Sequence, residues 1–277
     1  MMKNIHISFI GSGNMANCLI AGLINDGIPA KNITASDIDD QKCQILTQHF
    51  GINTRTDNVA AIEQADLVVL AVKPQIIETV ASHLKPALQH KKPVVVSIAA
   101  GIQSQDLQQW LGADIPLIRT MPNTPAMIQA GVTALFAAEN VALEQKEIAE
   151  ALMRTTGVTI WVDDETQMDA ITALSGSGPA YYFLFMEIFQ KAAENLGLPQ
   201  KTARLLVLQT ALGAAKMALE SNHTPAELRQ QVTSPKGTTE SGINSLLDDH
   251  IEKILTTAIH AAKDRSIELS QLLGANK

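Results

Sequence analysis

Short apolar runs recur through residues 1–162, and segments with the helical spacing of apolar positions separate them. Several runs are apolar at nearly every position, as strands are when helices cover both faces of a sheet. This alternation is typical of βαβ units and predicts a parallel sheet. The predicted strands cover residues 5–10, 33–37, 67–72, 94–98, 117–120, 132–136 and 158–162. Helices are predicted between them, for example over 15–26 and 143–155, each closed by a glycine.

The pattern changes after residue 165, where β-branched runs vanish and Ala, Leu, Gln, Lys and Glu dominate. These residue types and their spacing predict a bundle of helices. Two long helices are expected over 179–196 and 200–220, with Gly197 and Pro199 between them. The apolar stripe of Ile251, Leu255, Ile259 and Ala262 predicts an amphipathic tail helix that needs a partner surface.

Composition narrows the class of protein. The chain has 277 residues, 46% of them hydrophobic, which suffices for two ordinary domains. A net charge of -7 with only 21 Lys and Arg argues against a nucleic-acid partner. Cys18 and Cys43 are too few for a disulfide framework and lack metal-ligand spacing, so we expect a reducing cytoplasm and no metal. No apolar stretch approaches the roughly 18 residues of a membrane span, so we expect a soluble protein.

A glycine motif follows the first predicted strand. Residues 11–16 read G-x-G-x-x-A and open a predicted helix. In a nucleotide-binding βαβ unit, Gly11 would permit the tight turn, Gly13 would let a pyrophosphate approach the backbone, and Ala16 would let helix and strand pack closely. The alternative is a glycine turn without a ligand. The motif favours an α/β N-terminal Rossmann-type parallel sheet domain over residues 1–163, followed by an all-α C-terminal bundle domain over 164–277.

The end of the second strand carries Ser36 and Asp37. An acidic residue 21 positions past Ala16 is placed to accept hydrogen bonds from an adenosine ribose. Its charge would repel a 2'-phosphate, and no Arg follows within this turn, so the residues alone favour NADH. The alternative makes Asp37 a solvated turn residue, with Ser36 still able to donate to a phosphate.

Two further strand ends carry small or basic residues. Lys73 leaves the sheet at its carboxyl edge, where ligands bind in open α/β folds. Small residues at 98–101 would let a nicotinamide ribose lie against the backbone. Both segments are also compatible with ordinary strand exits, and an exposed lysine is common at such an edge.

Two loops in the helical half combine glycine with hydroxyl residues. Residues 174–181 place a Gly/Ser loop, with Ser175 and Gly176, before a helix whose first turn holds Pro179. Residues 234–241 form a loop in which Thr238 or Thr239 would cap the next helix. Each loop is also compatible with an ordinary helix-helix connection. Both helix ends are nevertheless suited to anions, and the candidate substrate residues are placed there.

Other polar and aromatic residues have structural interpretations. Arg119 and Asn123 lie in a Pro-rich region where they would either anchor a loop or line a cleft. The acidic run 163–165 is interpreted as a solvated linker. The aromatic residues at 181–185 are expected to pack in the core of the bundle.

Six segments together resemble the signature blocks of the pyrroline-5-carboxylate reductase family. They come in family order, at residues 9–15, 71–74, 97–101, 119–125, 174–181 and 234–239, and span almost the whole chain. The resemblance implies reduction of 1-pyrroline-5-carboxylate to L-proline by NADPH or NADH, the last step of proline biosynthesis. It also implies a homodimer through the helical domain, with an active site built across it, and larger rings such as a decamer.

The resemblance also assigns substrate residues. Backbone N–H groups of the loop formed by Lys236, Gly237, Thr238 and Thr239 would hold the substrate carboxylate. Thr239 would be the catalytic residue, hydrogen-bonded near the ring nitrogen. A protonated cyclic imine is already electrophilic, so the enzyme chiefly positions it and neutralises its carboxylate.

The cofactor contacts implied by the resemblance lie in the strand-end segments, and Asp37 is added to them from its position after the second strand. They are Ile10, Gly11, Ser12, Gly13, Asn14, Met15, Ser36, Asp37, Asn58, Ala71, Val72, Lys73, Pro74, Ile98, Ala99 and Ala100.

Two positions depart from the family pattern. Lys236 stands where the family usually has a glycine, so it adds a cation near the carboxylate and restricts the backbone. Asp37 and Ile38 lack the basic group that many members use for a 2'-phosphate, so the choice between NADPH and NADH stays open.

Two other functions are compatible with parts of the sequence. A hydroxyacid dehydrogenase would need a general acid or base such as Lys191 or Lys216. A nucleotide sensor without turnover would need the first half but not the loop at 234–239.

Overall fold

The chain forms two compact units. A computed structural model describes residues 2–274, with only the backbone of Lys3. The first unit contains the described residues up to Ser177 together with those from Ala261 onward, and the second is Gly178–His260. These units divide the chain later than the predicted boundary between residues 163 and 164, because 164–177 and the C-terminal residues contact the first unit.

The first unit is built on one eight-stranded sheet with the order β3-β2-β1-β4-β5-β6-β7-β8. All neighbouring strands are parallel except β6 and β7. Residues 122–130 between those two strands are fewer than the roughly dozen residues that a parallel crossover requires. The strands are β1 (Ile7–Ile10), β2 (Ile33–Ser36), β3 (Asn53–Arg55), β4 (Leu67–Leu70), β5 (Val94–Ser97), β6 (Leu117–Met121), β7 (Gly131–Ala137) and β8 (Gly157–Trp161).

The predicted fold class is confirmed, with a mostly parallel sheet first and helices after it. Strands β1 and β4 are buried at every position, as the nearly apolar sequence of β1 and the uniformly apolar sequence of β4 predict. Strand β3 was not predicted, because its three residues are polar and two are exposed. The helices of this half are α1 (Asn14–Asn25), α2 (Asp40–Phe50), α3 (Asn58–Ile62), α4 (Ile77–Lys91), α5 (Ser104–Leu111), α6 (Leu143–Arg154) and α7 (Gln167–Ile171).

The second unit is entirely helical but has little core of its own. Among the described residues of this unit, Gly178 and Ala203 alone are buried. Tyr182 and Phe183 are 68% and 64% exposed, so the prediction that the aromatic residues pack in a bundle core is wrong for the single chain. Exposed apolar residues that cluster in this way, on α8 and α9, need a partner surface to cover them. The helices are α8 (Gly178–Asn195), α9 (Gln200–Glu220), α10 (Pro225–Gln231), α11 (Thr238–Asp248) and α12 (Ile251–Leu273), the last of which continues into the first unit.

A buried ion pair joins the segment after β8 to the sheet. The Arg119 guanidinium, on β6 and 4% exposed, donates to the Glu165 carboxylate at 2.8 Å. The same carboxylate accepts from the backbone N–H of Ser104 at 2.7 Å and from its hydroxyl, at the start of α5. The prediction of a solvated linker is therefore wrong for Glu165, and Arg119 anchors this segment. Along the described chain, no helix is both long and apolar enough to cross a membrane.

We predict that Glu165→Ala lowers the free energy of unfolding by about 2–4 kcal/mol, because it leaves a buried guanidinium unpaired. Urea unfolding followed by circular dichroism would measure the change. Asp163→Ala, an exposed residue of the same acidic run, should change it by less than about 0.5 kcal/mol. Equal losses in the two variants would contradict this role for Glu165.

Candidate active site

The predicted cofactor segments meet at one edge of the sheet. Strands β1, β2, β4 and β5 are parallel neighbours in register, so their carboxyl ends lie side by side. This is the edge at which open α/β sheets bind ligands. The segments that follow these four strands are residues 10–15, 36–37, 71–74 and 98–100, and Asn58 begins α3 nearby.

Gly11 occupies a position that excludes any side chain. Its φ is +99°, and a Cβ added to it would lie 2.7 Å from the carbonyl oxygen of Ala71. Its N–H donates to the carbonyl of Ser36 at 2.9 Å, and the N–H of Ala71 donates to the carbonyl of Ile10 at 2.8 Å. The turn after β1 is therefore held tightly between β2 and β4.

Gly13, unlike Gly11, lies next to open space. It precedes α1 in an extended conformation, and a Cβ added to it would meet no atom within 4 Å. The first N–H groups of α1 lack intrahelical partners, and the space beside Gly13 at this helix end is open. Ala16 is fully buried, which allows α1 to pack closely on the sheet. This cradle fits the pyrophosphate of a dinucleotide, which such a helix end stabilises.

Asp37 contacts the glycine turn directly. Its carboxylate accepts from the N–H of Ser12 at 3.3 Å and from the Ser12 hydroxyl, and Lys42 Nζ lies 3.5 Å away. Burial tends to raise the pKa of Asp37, but the hydrogen bonds from Ser12 and Asp39 and the Lys42 charge outweigh it and lower the pKa. These contacts to the charged form therefore persist above the ordinary aspartate pKa of about 3.9 and are lost only in more acidic solution. Asp37 thus holds the turn, a role that the sequence did not indicate.

The edge next to Asp37 also contains cations that sequence reasoning missed. Arg55 ends β3 in register with Ser36, and its side chain is exposed. The Ser36 hydroxyl donates to Asn58 Oδ1 at 2.7 Å, so these two predicted cofactor residues are brought together. Gly51 ends α2 in a left-handed conformation, and the segment that leads to β3 starts there. This glycine was the feature of the sequence that could have indicated the end of the helix and a further element after it.

Ser175 and Gly176 lie in a five-residue π-helical segment of the first unit. Asn123 fixes this segment, because its side chain donates to the carbonyl of Ser175 at 3.1 Å and accepts from the N–H of Val132 at 3.0 Å. A Cβ on Gly176 would lie 2.4 Å from Met121 Cε, so the segment packs closely on β6. Of the two interpretations of Asn123, the structure favours anchoring a loop.

The predicted substrate loop lies in the second unit. Gly237 precedes α11, so the N–H groups of Thr238 and Thr239 fall in its first turn, where intrahelical partners are lacking. Both threonine residues are exposed. Of the four N–H groups in the predicted loop, those of Lys236 and Gly237 donate to Glu240 and to the Ser234 carbonyl. Those of Thr238 and Thr239 remain for an anion.

The residues required by a hydroxyacid dehydrogenase do not form a site. Lys191 and Lys216 are exposed, and each pairs with a glutamate one helical turn away. Lys191 lies 3.3 Å from Glu187, one turn earlier, and Lys216 lies 3.7 Å from Glu220, one turn later. Such pairs are ordinary features of helix surfaces. Across residues 2–274, no group of three or more His, Cys, Asp and Glu residues is arranged to hold a metal ion.

The fold and the glycine turn define a Rossmann-type protein of the oxidoreductase class. The family model for pyrroline-5-carboxylate reductase dimerisation matches residues 165–269, and one for an NADP oxidoreductase, coenzyme F420-dependent, matches residues 6–101. A pyrroline-5-carboxylate reductase from Pseudomonas aeruginosa is 48% identical, over 99% of this chain and 100% of the relative. The chain belongs to the pyrroline-5-carboxylate reductase family.

Two solved structures of this family are similar to the chain. The pyrroline-5-carboxylate reductase of Coxiella burnetii has a TM-score of 0.92 at 45% identity, over 96% of this chain and 98% of that one. The Plasmodium falciparum pyrroline carboxylate reductase, solved with NADP bound, has a TM-score of 0.87 at 28% identity, over 98% and 100%.

We predict opposite behaviour for alanine at the two glycines of the turn. Gly13→Ala should fold normally but weaken NADP(H) binding by roughly 10- to 100-fold, the loss of one or two charge-assisted hydrogen bonds. Gly11→Ala should lower the melting temperature, because its Cβ would collide with the backbone of Ala71. Fluorescence titration and thermal unfolding measure the two effects. Unchanged affinity in Gly13→Ala would show that the pyrophosphate lies elsewhere.

Proposed function

We propose that this chain reduces 1-pyrroline-5-carboxylate to L-proline with NADPH or NADH, the last step of proline biosynthesis. The observation that carries the proposal is the match to a reductase of that name at 48% identity over the whole of both chains. The glycine turn with open space at Gly13 supports it independently, because it fits a dinucleotide. A cytoplasmic location remains a prediction.

Residues of the first unit hold the cofactor. The N–H groups at the start of α1 bind the pyrophosphate, and the turns after β4 and β5, at 71–74 and 98–100, border the ribose and nicotinamide. Ser36, Asp37 and Asn58 border the adenosine ribose. When bound, the reduced nicotinamide supplies the hydride.

Residues of the second unit hold the substrate anion. The N–H groups of Thr238 and Thr239 and the dipole of α11 bind the carboxylate. The Thr239 hydroxyl hydrogen-bonds near the ring nitrogen and orients the imine. Ser175 and Gly176, in the first unit, complete the set of substrate residues. No strong general base is required, since the protonated imine carbon is already electrophilic.

The chain is oligomeric through its family's dimerisation region at 165–269. We propose that two chains pair through the apolar residues of α8 and α9, such as Tyr182, Phe189 and Leu206, which are exposed in the single chain. A decamer built from such dimers is the larger assembly that the resemblance implies. In this proposal residues 1–163 bind the dinucleotide, and 164–277 serve the substrate and dimerisation.

The function is tested by following NADH and NADPH oxidation side by side with pyrroline-5-carboxylate, and by identifying L-proline as the product. We expect turnover with at least one cofactor and one proline formed for each cofactor oxidised. Binding of NADP(H) without turnover at any pH would contradict the proposal and favour a nucleotide sensor.

For the substrate loop, we predict that Thr239→Ala lowers kcat/KM by about 10- to 100-fold, the scale of one oriented hydrogen bond lost from a transition state. Steady-state kinetics would measure the change. Thr256→Ala, an exposed threonine on α12, is the control and should leave the kinetics unchanged. Unchanged kinetics in Thr239→Ala would remove this hydroxyl from the mechanism.

For the cofactor, we propose that Arg55 binds the 2'-phosphate of NADPH, because it ends β3 in register with Ser36 and its side chain is exposed. Arg55→Ala should raise the KM for NADPH by roughly 3- to 20-fold and leave that for NADH unchanged. Asp37→Ser should shift preference toward NADPH by removing a negative charge. Arg154→Ala, an exposed residue on α6, is the control, and a parallel loss for both cofactors in Arg55→Ala would contradict the assignment.

A further inference from the structure

The loop before α11 contains a tight turn with an unusual residue in it. The N–H of Gly237 donates to the carbonyl of Ser234 at 3.0 Å, which closes a turn over Pro235 and Lys236. Lys236 has a φ of +60°. A proline followed by a residue with positive φ is the pattern of a type II turn, in which glycine or asparagine is favoured at the third position. Lysine therefore adopts a costly backbone conformation here, and something must hold it.

Glu240 contacts the backbone at this position. It is the third residue of α11, and its carboxylate accepts from the N–H of Lys236 at 2.7 Å. In the described part of the chain, no Lys, Arg or His nitrogen lies within 4 Å of this carboxylate. The charge is therefore not neutralised by a side chain, although the helix dipole favours it.

The same carboxylate borders the donors assigned to the substrate. Glu240 and Lys236 line one cavity of about 500 Å³ with Gly237 and Ser241. The N–H groups of Thr238 and Thr239 belong to the same first turn of α11 as Glu240, so an anion bound there meets the negative charge of this carboxylate. The N–H of Lys236 is not available to this anion, because it already donates to Glu240.

We infer that Glu240 sets the affinity and specificity for the substrate carboxylate. Glu240 holds the turn in its binding conformation, but its negative charge opposes the anion that the turn binds. This inference rests on the proposed function, because it takes the loop as the site of the substrate carboxylate. Glu240 is a specificity-determining residue that acts through charge at the edge of the site.

The variant Glu240→Gln separates the two effects, because an amide oxygen still accepts from Lys236 but carries no charge. We expect the KM for pyrroline-5-carboxylate to fall roughly 3- to 10-fold, the scale of one like charge removed from a partly solvated site. The inhibition constant of L-proline should fall in parallel. That of pyrrolidine, which lacks the carboxylate, should not fall, and kcat and the KM for NADPH should stay within about twofold.

Glu144→Gln is the matched control, since Glu144 is an exposed acidic residue in the first turn of α6 in the other unit. It removes the same charge and should leave every constant unchanged. If Glu240→Gln does not fold, the double variant Lys236→Gly, Glu240→Gln takes its place, because glycine at 236 tolerates the positive φ that the hydrogen bond stabilises. Its KM should show the same fall relative to Lys236→Gly alone. An unchanged or raised KM, or an equal fall for pyrrolidine, overturns the inference about Glu240 and leaves the proposed function intact. Absence of turnover in the unaltered protein would instead overturn the proposed function.

Discussion

The carbonyl oxygen of Ala71 lies where a side chain on residue 11 would have to begin. This contact is possible only because Gly11 lacks a Cβ and adopts a positive φ. It brings the end of β1 against the end of β4, while the hydrogen bond from Gly11 to Ser36 brings it against β2. The start of α1 is thereby placed at the carboxyl edge, with open space beside Gly13. The cofactor residues that follow β1, β2 and β4 depend on this arrangement of three strand ends.

The polar side chains around this turn make hydrogen bonds to one another within the protein. Asp37 holds Ser12, and Ser36 pairs with Asn58, so the edge is organised in the absence of a cofactor. Donors that are already ordered bind a ligand at a lower cost in conformational entropy, because folding has already fixed their positions. Asn123 holds the segment of Ser175 in the same way. Glu240 has a similar role in the second unit, because its carboxylate stabilises the turn at Lys236. The backbone donors that follow this turn are the ones proposed to bind the substrate anion.

The sequence predicted those parts of the fold and site that depend on local patterns. Uniformly apolar strands such as β4, and a glycine motif between a strand and a helix, leave few alternatives. Strand β3 could not be predicted from its polar sequence, and its pairing with β2 is what brings Arg55 beside Ser36. Glu165 was taken as solvated because its partner Arg119 is 46 residues away along the chain. The sequence predicts that the aromatic residues of α8 pack in a core, which a single chain does not contain, since sequence periodicity does not say which chain covers a face.

We propose that the dinucleotide binds at the glycine turn of the first unit and the substrate carboxylate at the start of α11 in the second. Amide hydrogen exchange, measured with NADP⁺ alone and then with NADP⁺ and L-proline, tests both halves at once. We expect NADP⁺ to protect amides at 11–16 and L-proline to add protection at 236–240. Added protection confined to other segments, or none at 11–16 with NADP⁺, would rule out this pair of binding sites.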